Sequence, residues 1–90
     1  MLFRWNGWNR HHIAEHGIFV EDAEFLVRHA RRPYPRRMGQ GKFLVRGQTA
    51  TGLYIQVMYI FDPEDVRDVI HARPLTDRDK WQLRDRSKII

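Results

Sequence analysis

The sequence predicts an α+β fold, with two N-terminal helices packed on a twisted antiparallel β-sheet and a third helix at the C-terminus. Three observations predict it. Val20, Ala23, Val27 and Ala30 recur at helical spacing with Leu26 beside them, which makes an apolar stripe over Glu21, Glu24 and Arg28. Three β-rich runs, near 42–48, 53–61 and 66–72, are separated by the turn-forming stretches 48–52 and 62–65, the pattern of a meander of hairpins. Thr76 is placed to cap a last helix, with Asp77 and Asp79 favourable in its first turn.

The elements follow in order. Residues 2–5 are short and apolar enough for an edge strand. Asn6 caps a first helix, and Gly17 is placed to end it in the left-handed conformation. The second helix is expected from about Val20 to Arg31, where Pro33 and Pro35 stop it. Arg36, Arg37, Gly39 and Gly41 read as a flexible basic loop over 36–41. On the last strand a period of two places Arg67, Val69, His71 and Arg73 on one face and Val66, Asp68, Ile70 and Ala72 on the other. Two arginines and a histidine are expensive to bury, so that ridge is wet or is a site. On the middle strand Tyr59 and Gln56 lie on opposite faces, and only one of them can join it.

Ninety residues make one domain with a thin core, which a partner or a homodimer would help to cover. The absence of cysteine excludes disulfides and cysteine-based zinc sites. No run approaches the roughly 18 apolar residues of a membrane span, and no apolar leader opens the chain, so no membrane association and a cytoplasmic location are expected. The formal net charge is +5, and its distribution matters more than its sum. From Arg28 to Arg46 there are seven Lys and Arg residues and no acid. Such a patch attracts polyanions by counterion release, which points to nucleic acid or, as the alternative, to an acidic protein partner.

No residue constellation here names a reaction by itself, and cleavage of RNA without a metal would need a base for the ribose 2′-OH proton, cations for the phosphorane charge and an acid for the leaving 5′ oxygen. His71 suits either proton role, because its ordinary pKa lies near 6.5. Arg73 and Arg46 offer guanidinium forks to a phosphate, and Tyr59 is placed to orient or stack on a base. Arg31, Arg32, Arg36, Arg37 and Lys42 form the candidate RNA track. The scheme calls for no cofactor and no metal. His12 and His16 share a helix face at a permissible zinc spacing, with Glu15 nearby, but the order is not that of a metalloprotease helix and nothing distant completes a ligand set. His16 reads instead as a cap on the helix end, and Trp5, Trp8 and Trp81 read as core or subunit interface.

Two signatures bracket the chain: Trp5-Asn6-x-x-Asn9-x-x-His12-Ile13-x-x-His16-Gly17 near the start, and Ile70-His71-Ala72-Arg73-Pro74-Leu75-Thr76 near the end. With Glu21, Ala23, Lys42-Phe43 and Gly47 between them, the chain resembles the BrnT-type toxin family. The resemblance implies a RelE-like fold and endoribonuclease activity that blocks translation. It also implies neutralisation by a cognate ribbon–helix–helix antitoxin. Arg73 fills the arginine of the family's Ser-Ala-Arg signature. The chain departs from the family pattern at Asp68, where an arginine is frequent, at His71, where a small hydroxyl residue is usual, and at Leu83, where tyrosine is common. The alternative reading is a non-catalytic nucleic-acid- or protein-binding module on the same scaffold. A metal-using hydrolase built on His12 and His16 is a third.

Overall fold

The computed structural model describes the backbone of residues 1–88 and the side chains of residues 1–83. The fold is α+β. In chain order the elements are β1 (Phe3–Arg4), α1 (Gly7–Ala14), α2 (Val20–Arg28), β2 (Arg36–Gly39), β3 (Lys42–Gln48), β4 (Tyr54–Phe61), β5 (Arg67–Pro74) and α3 (Asp77–Lys88). The sheet order is β1-β5-β4-β3-β2. It is mixed rather than wholly antiparallel, because β1 runs parallel to β5. The intervening α1 and α2 carry the chain from β1 to the far edge of the sheet, and β1 enters beside β5 from the N-terminal side.

Asn6 starts α1 as expected and does so reciprocally with Asn9. The Asn9 N–H donates to Asn6 Oδ1 at 2.9 Å, and the Asn6 N–H donates to Asn9 Oδ1 at 2.8 Å. Asn9 is 2% exposed, and its Nδ2 also donates to the carbonyls of Arg4 at 3.0 Å and Val69 at 3.4 Å. The Trp-Asn opening is therefore a structural pin that holds α1 against β1 and β5. Gly17 adopts φ +74 after α1, where a side chain would be strained.

The second helix ends at Arg28, three residues before the expected Arg31. Pro33 has no N–H for the carbonyl four residues earlier and disfavours helical backbone at Arg32, so the last turn cannot propagate. Ala23, Leu26 and Val27 of α2 are buried on the sheet. Residues 36–39, expected in a flexible loop, form an edge strand. Gln40 and Gly41 both adopt positive φ, at 56 and 75, and Gly39 pairs with Lys42, which is the chemistry of a tight two-residue hairpin.

The strict alternation expected along the last strand fails at one place. Met58 pairs with His71 but Tyr59 pairs with Val69, so β5 carries an extra residue, Ile70, in a bulge. Val69 and Ala72 are consequently both 0% exposed and face the helices with Ile55, Val57 and Tyr59. Arg67 falls on that same core face, its guanidinium stacked 4.5 Å from the Phe61 ring centroid, whereas His71 and Arg73 face the opposite side.

A candidate anion site on the outer sheet face

Residues directly opposite in a ladder project to the same face, so the pairing registers define rows across the outer face of the sheet. One row is Lys42–Ile60–Asp68. The next is Arg36–Leu44–Met58–His71, and the third is Arg46–Gln56–Arg73. The fold thus gathers Arg36, Lys42, Arg46, His71 and Arg73 on one face. Arg37 does not join them. It pairs with Phe43 on the core face and lies 5.9 Å over that ring. Arg31 and Arg32 are exposed on the segment after α2, which belongs to none of these rows.

Tyr59 is a correction. It is 1% exposed, stacked at 5.5 Å on Phe43, and sits under the helices rather than on the ridge. Gln56 takes the ridge position instead, and its Oε1 accepts from Arg46 Nε at 3.1 Å. That bond fixes the guanidinium in the row.

The two arginines meet a carboxylate from α3. Asp79 Oδ2 accepts from Arg73 Nη1 at 3.0 Å, and its Oδ1 lies 3.4 Å from Arg46 Nη2. Asp79 also forms a capping box with Thr76, the expected cap, accepting the Thr76 N–H at 3.1 Å while its own N–H donates to Thr76 Oγ1 at 3.1 Å. The Thr76 backbone bond, then the Arg73 and Thr76 side-chain bonds and the Arg46 charge, hold the Asp79 pKa down to about 2 against an ordinary 3.8. A carboxylate between two guanidinium groups occupies the position an oxyanion would take. The arrangement is an anion site with an internal anion in place.

His71 stands at the α1 side of this face, two residues from Arg73. Its ring centroid is 6.5 Å from that of His12 and 6.3 Å from that of His16. Burial lowers its pKa, and the charge of Arg73 and the neighbouring His16 and His12 lower it further. The neutral imidazole, able to accept a proton, is the form favoured at neutral pH. His16, expected to cap α1, turns its ring toward His71 instead. His12 is stacked 5.2 Å from Trp8, which with Trp81 lies outside the core at 67% and 61% exposure. Trp5 packs against the core and donates to Glu24 Oε2 at 2.8 Å. The sequence placed His12 and His16 on one helix face. The information it lacked was that α1 packs beside β5 and brings both to His71.

Asp68, a departure from the family pattern, accepts from Asn9 Nδ2 at 3.5 Å and helps to seat α1. Leu83, another departure, packs partly buried against the core. Among the described residues no group of three or more His, Asp or Glu side chains is arranged to hold a metal ion, and no helix is long and apolar enough to cross a membrane. No protein-family model, curated protein or solved structure matches this chain.

Proposed function

We propose that this chain is a BrnT-type toxin with a RelE-like fold, a metal-independent endoribonuclease acting in the bacterial cytoplasm. The observation that carries the reading is the Arg46–Gln56–Arg73 row with His71 on the same sheet face. A phosphodiester that displaces the Asp79 carboxylate meets two guanidinium groups, already held by Gln56 and by the Pro74 carbonyl, and both stabilise the phosphorane charge. His71, neutral at its lowered pKa, accepts the ribose 2′-OH proton as the 2′ oxygen attacks phosphorus. The bond from phosphorus to the 5′ oxygen breaks, a 2′,3′-cyclic phosphate forms, and the leaving oxygen takes a proton from His12 or His16. Arg36 and Lys42 extend the cationic track along the same face. A cognate ribbon–helix–helix antitoxin is the partner this reading requires.

One observation favours a second reading, a non-catalytic binding module. Asp79 neutralises both arginines at once, which suits a site that has lost its chemistry. Controlled expression in a bacterial host separates the two, with growth and total RNA followed for wild type beside Arg73→Ala. Growth arrest with RNA fragmentation, both abolished in the variant, is the expected result. Healthy growth with intact RNA at verified soluble expression would replace the ribonuclease with the binding module.

A further inference from the structure

Strand β2 pairs with Lys42, Phe43 and Leu44, so among the described residues the outer edge of β3 beyond residue 44 has no neighbouring strand. The segment after α2 turns past this edge, and between them lies a half-open pocket of about 580 Å³. That size falls within the range of small-molecule sites, roughly 300–1,000 Å³. Arg31, Arg32 and Arg46 line it, and no acid does among the described residues. Its aromatic lining consists of Phe25, His29, Tyr34 and Tyr54. Phe25 and His29 are stacked 4.2 Å apart, and the His29 ring is held by a 2.9 Å contact between Nδ1 and the Phe25 carbonyl. Arg46 belongs both to this pocket and to the anion row, so the two sites are continuous.

We propose that this pocket is a subsite for one nucleotide of single-stranded RNA, flanking the nucleotide whose phosphate lies on Arg46 and Arg73. The assignment rests on the ribonuclease reading above. Aromatic rings accept a base of any identity by stacking, and cations without nearby acids take its phosphate. The base lies against Phe25, His29 or Tyr54, and the phosphate meets Arg31 and Arg32. This gives Arg31 and Arg32 a role that the sheet-face rows leave them without. An acidic peptide would satisfy the charge alone, whereas the aromatic wall beside the cations favours a nucleotide.

The test is photocrosslinking of a short single-stranded RNA that carries 4-thiouridine, with the attached peptide mapped by mass spectrometry. Affinity is measured in parallel for wild type, for Ala50→Trp, which fills the pocket mouth from an exposed loop, and for the surface variant Arg31→Gln/Arg32→Gln. The expected result is a crosslink at Phe25, His29 or Tyr54 that both variants lose, with affinity reduced about tenfold. Both variants are checked for native circular dichroism. RNA bound and cleaved with unchanged affinity in both variants would overturn the pocket and leave the ribonuclease standing. No RNA bound by wild type at about 50 mM salt would overturn both. A Glu-rich peptide that binds more tightly than RNA and is lost in Ala50→Trp would make the pocket a protein-docking groove and overturn the nucleotide assignment.

Discussion

Replacing Asp79 with asparagine separates the two roles of this carboxylate, because it should weaken the fold and strengthen anion binding at once. The carboxylate pKa falls from 3.8 to about 2, which corresponds to at most about 2 kcal/mol of native-state stabilisation. The Asp79 side chain is 13% exposed, and the remaining solvent screening reduces this to about 1–2 kcal/mol. Because the folded pKa is depressed, the contribution is fully present above the unfolded value near 4 and is lost as pH falls through about 2. Asp79→Asn should therefore unfold at lower urea concentration at pH 7, with the gap to wild type closing toward pH 2. Tryptophan fluorescence reports the transition. Removing one negative charge within about 4 Å of two guanidinium groups should also raise affinity for single-stranded RNA about fivefold or more, since each such contact is worth about 1 kcal/mol even in water. A pH-independent stability gap, or RNA affinity that is unchanged or reduced, would refute the idea that Asp79 occupies the phosphate position.

The remaining predictions bear on the register, the core and the histidines. Arg36→Gln and Lys42→Gln should each lower the slope of log affinity against log salt by about 0.7 for single-stranded RNA, whereas Arg37→Gln, on the opposite face, should leave it unchanged. Equal effects at Arg36 and Arg37 would contradict the face assignment. Asn9→Ala should destabilise the fold by about 2 kcal/mol in urea titration, since it removes the acceptor of the Asn6 N–H, half of the α1 capping box, and the side-chain donor to the Arg4 and Val69 carbonyls. Tyr59→Ala should cost about 3–5 kcal/mol of stability, as expected for a fully buried aromatic and not for a surface catalyst. The depressed pKa of His71 makes stability fall as pH drops below about 6.5, until the folded ring itself protonates. His71→Gln should remove that part of the acid sensitivity, and a pH–stability curve unchanged in the variant would show that His71 is not its source.

Much of this architecture was legible in the chain because local rules act where it is regular. The Asn6 cap, the left-handed Gly17, β3 and the Thr76–Asp79 start of α3 follow from side-chain chemistry within a few residues. The failures are non-local or involve a single residue. Gly39-Gln40-Gly41 was read as flexibility, although its positive φ values close a hairpin. The parallel pairing of β1 depends on where α1 and α2 carry the chain, which no local pattern records. For the site, Arg46, His71 and Arg73 were named from residue chemistry and do share a face. Tyr59 was misplaced because the register between β4 and β5, and not alternation within either strand, decides which of Gln56 and Tyr59 reaches the ridge. Asp79 was read as a favourable helix-start residue, and its contact with Arg46, which spans the fold, is recorded by no local pattern.

The extra residue at Ile70 gives β5 a divided allegiance. Upstream of it odd-numbered positions belong to the core, and downstream even-numbered ones do. Absorbing Ile70 into a regular ladder that keeps Tyr59 opposite Val69 would pair His71 with Val57, and would present Ala72 to solvent while driving His71 and Arg73 beneath the helices. The proposed site thus depends on a count, in addition to the identity of its residues. A related chain that kept every motif but closed this bulge without losing a residue would keep the letters of the site and lose its place on the sheet.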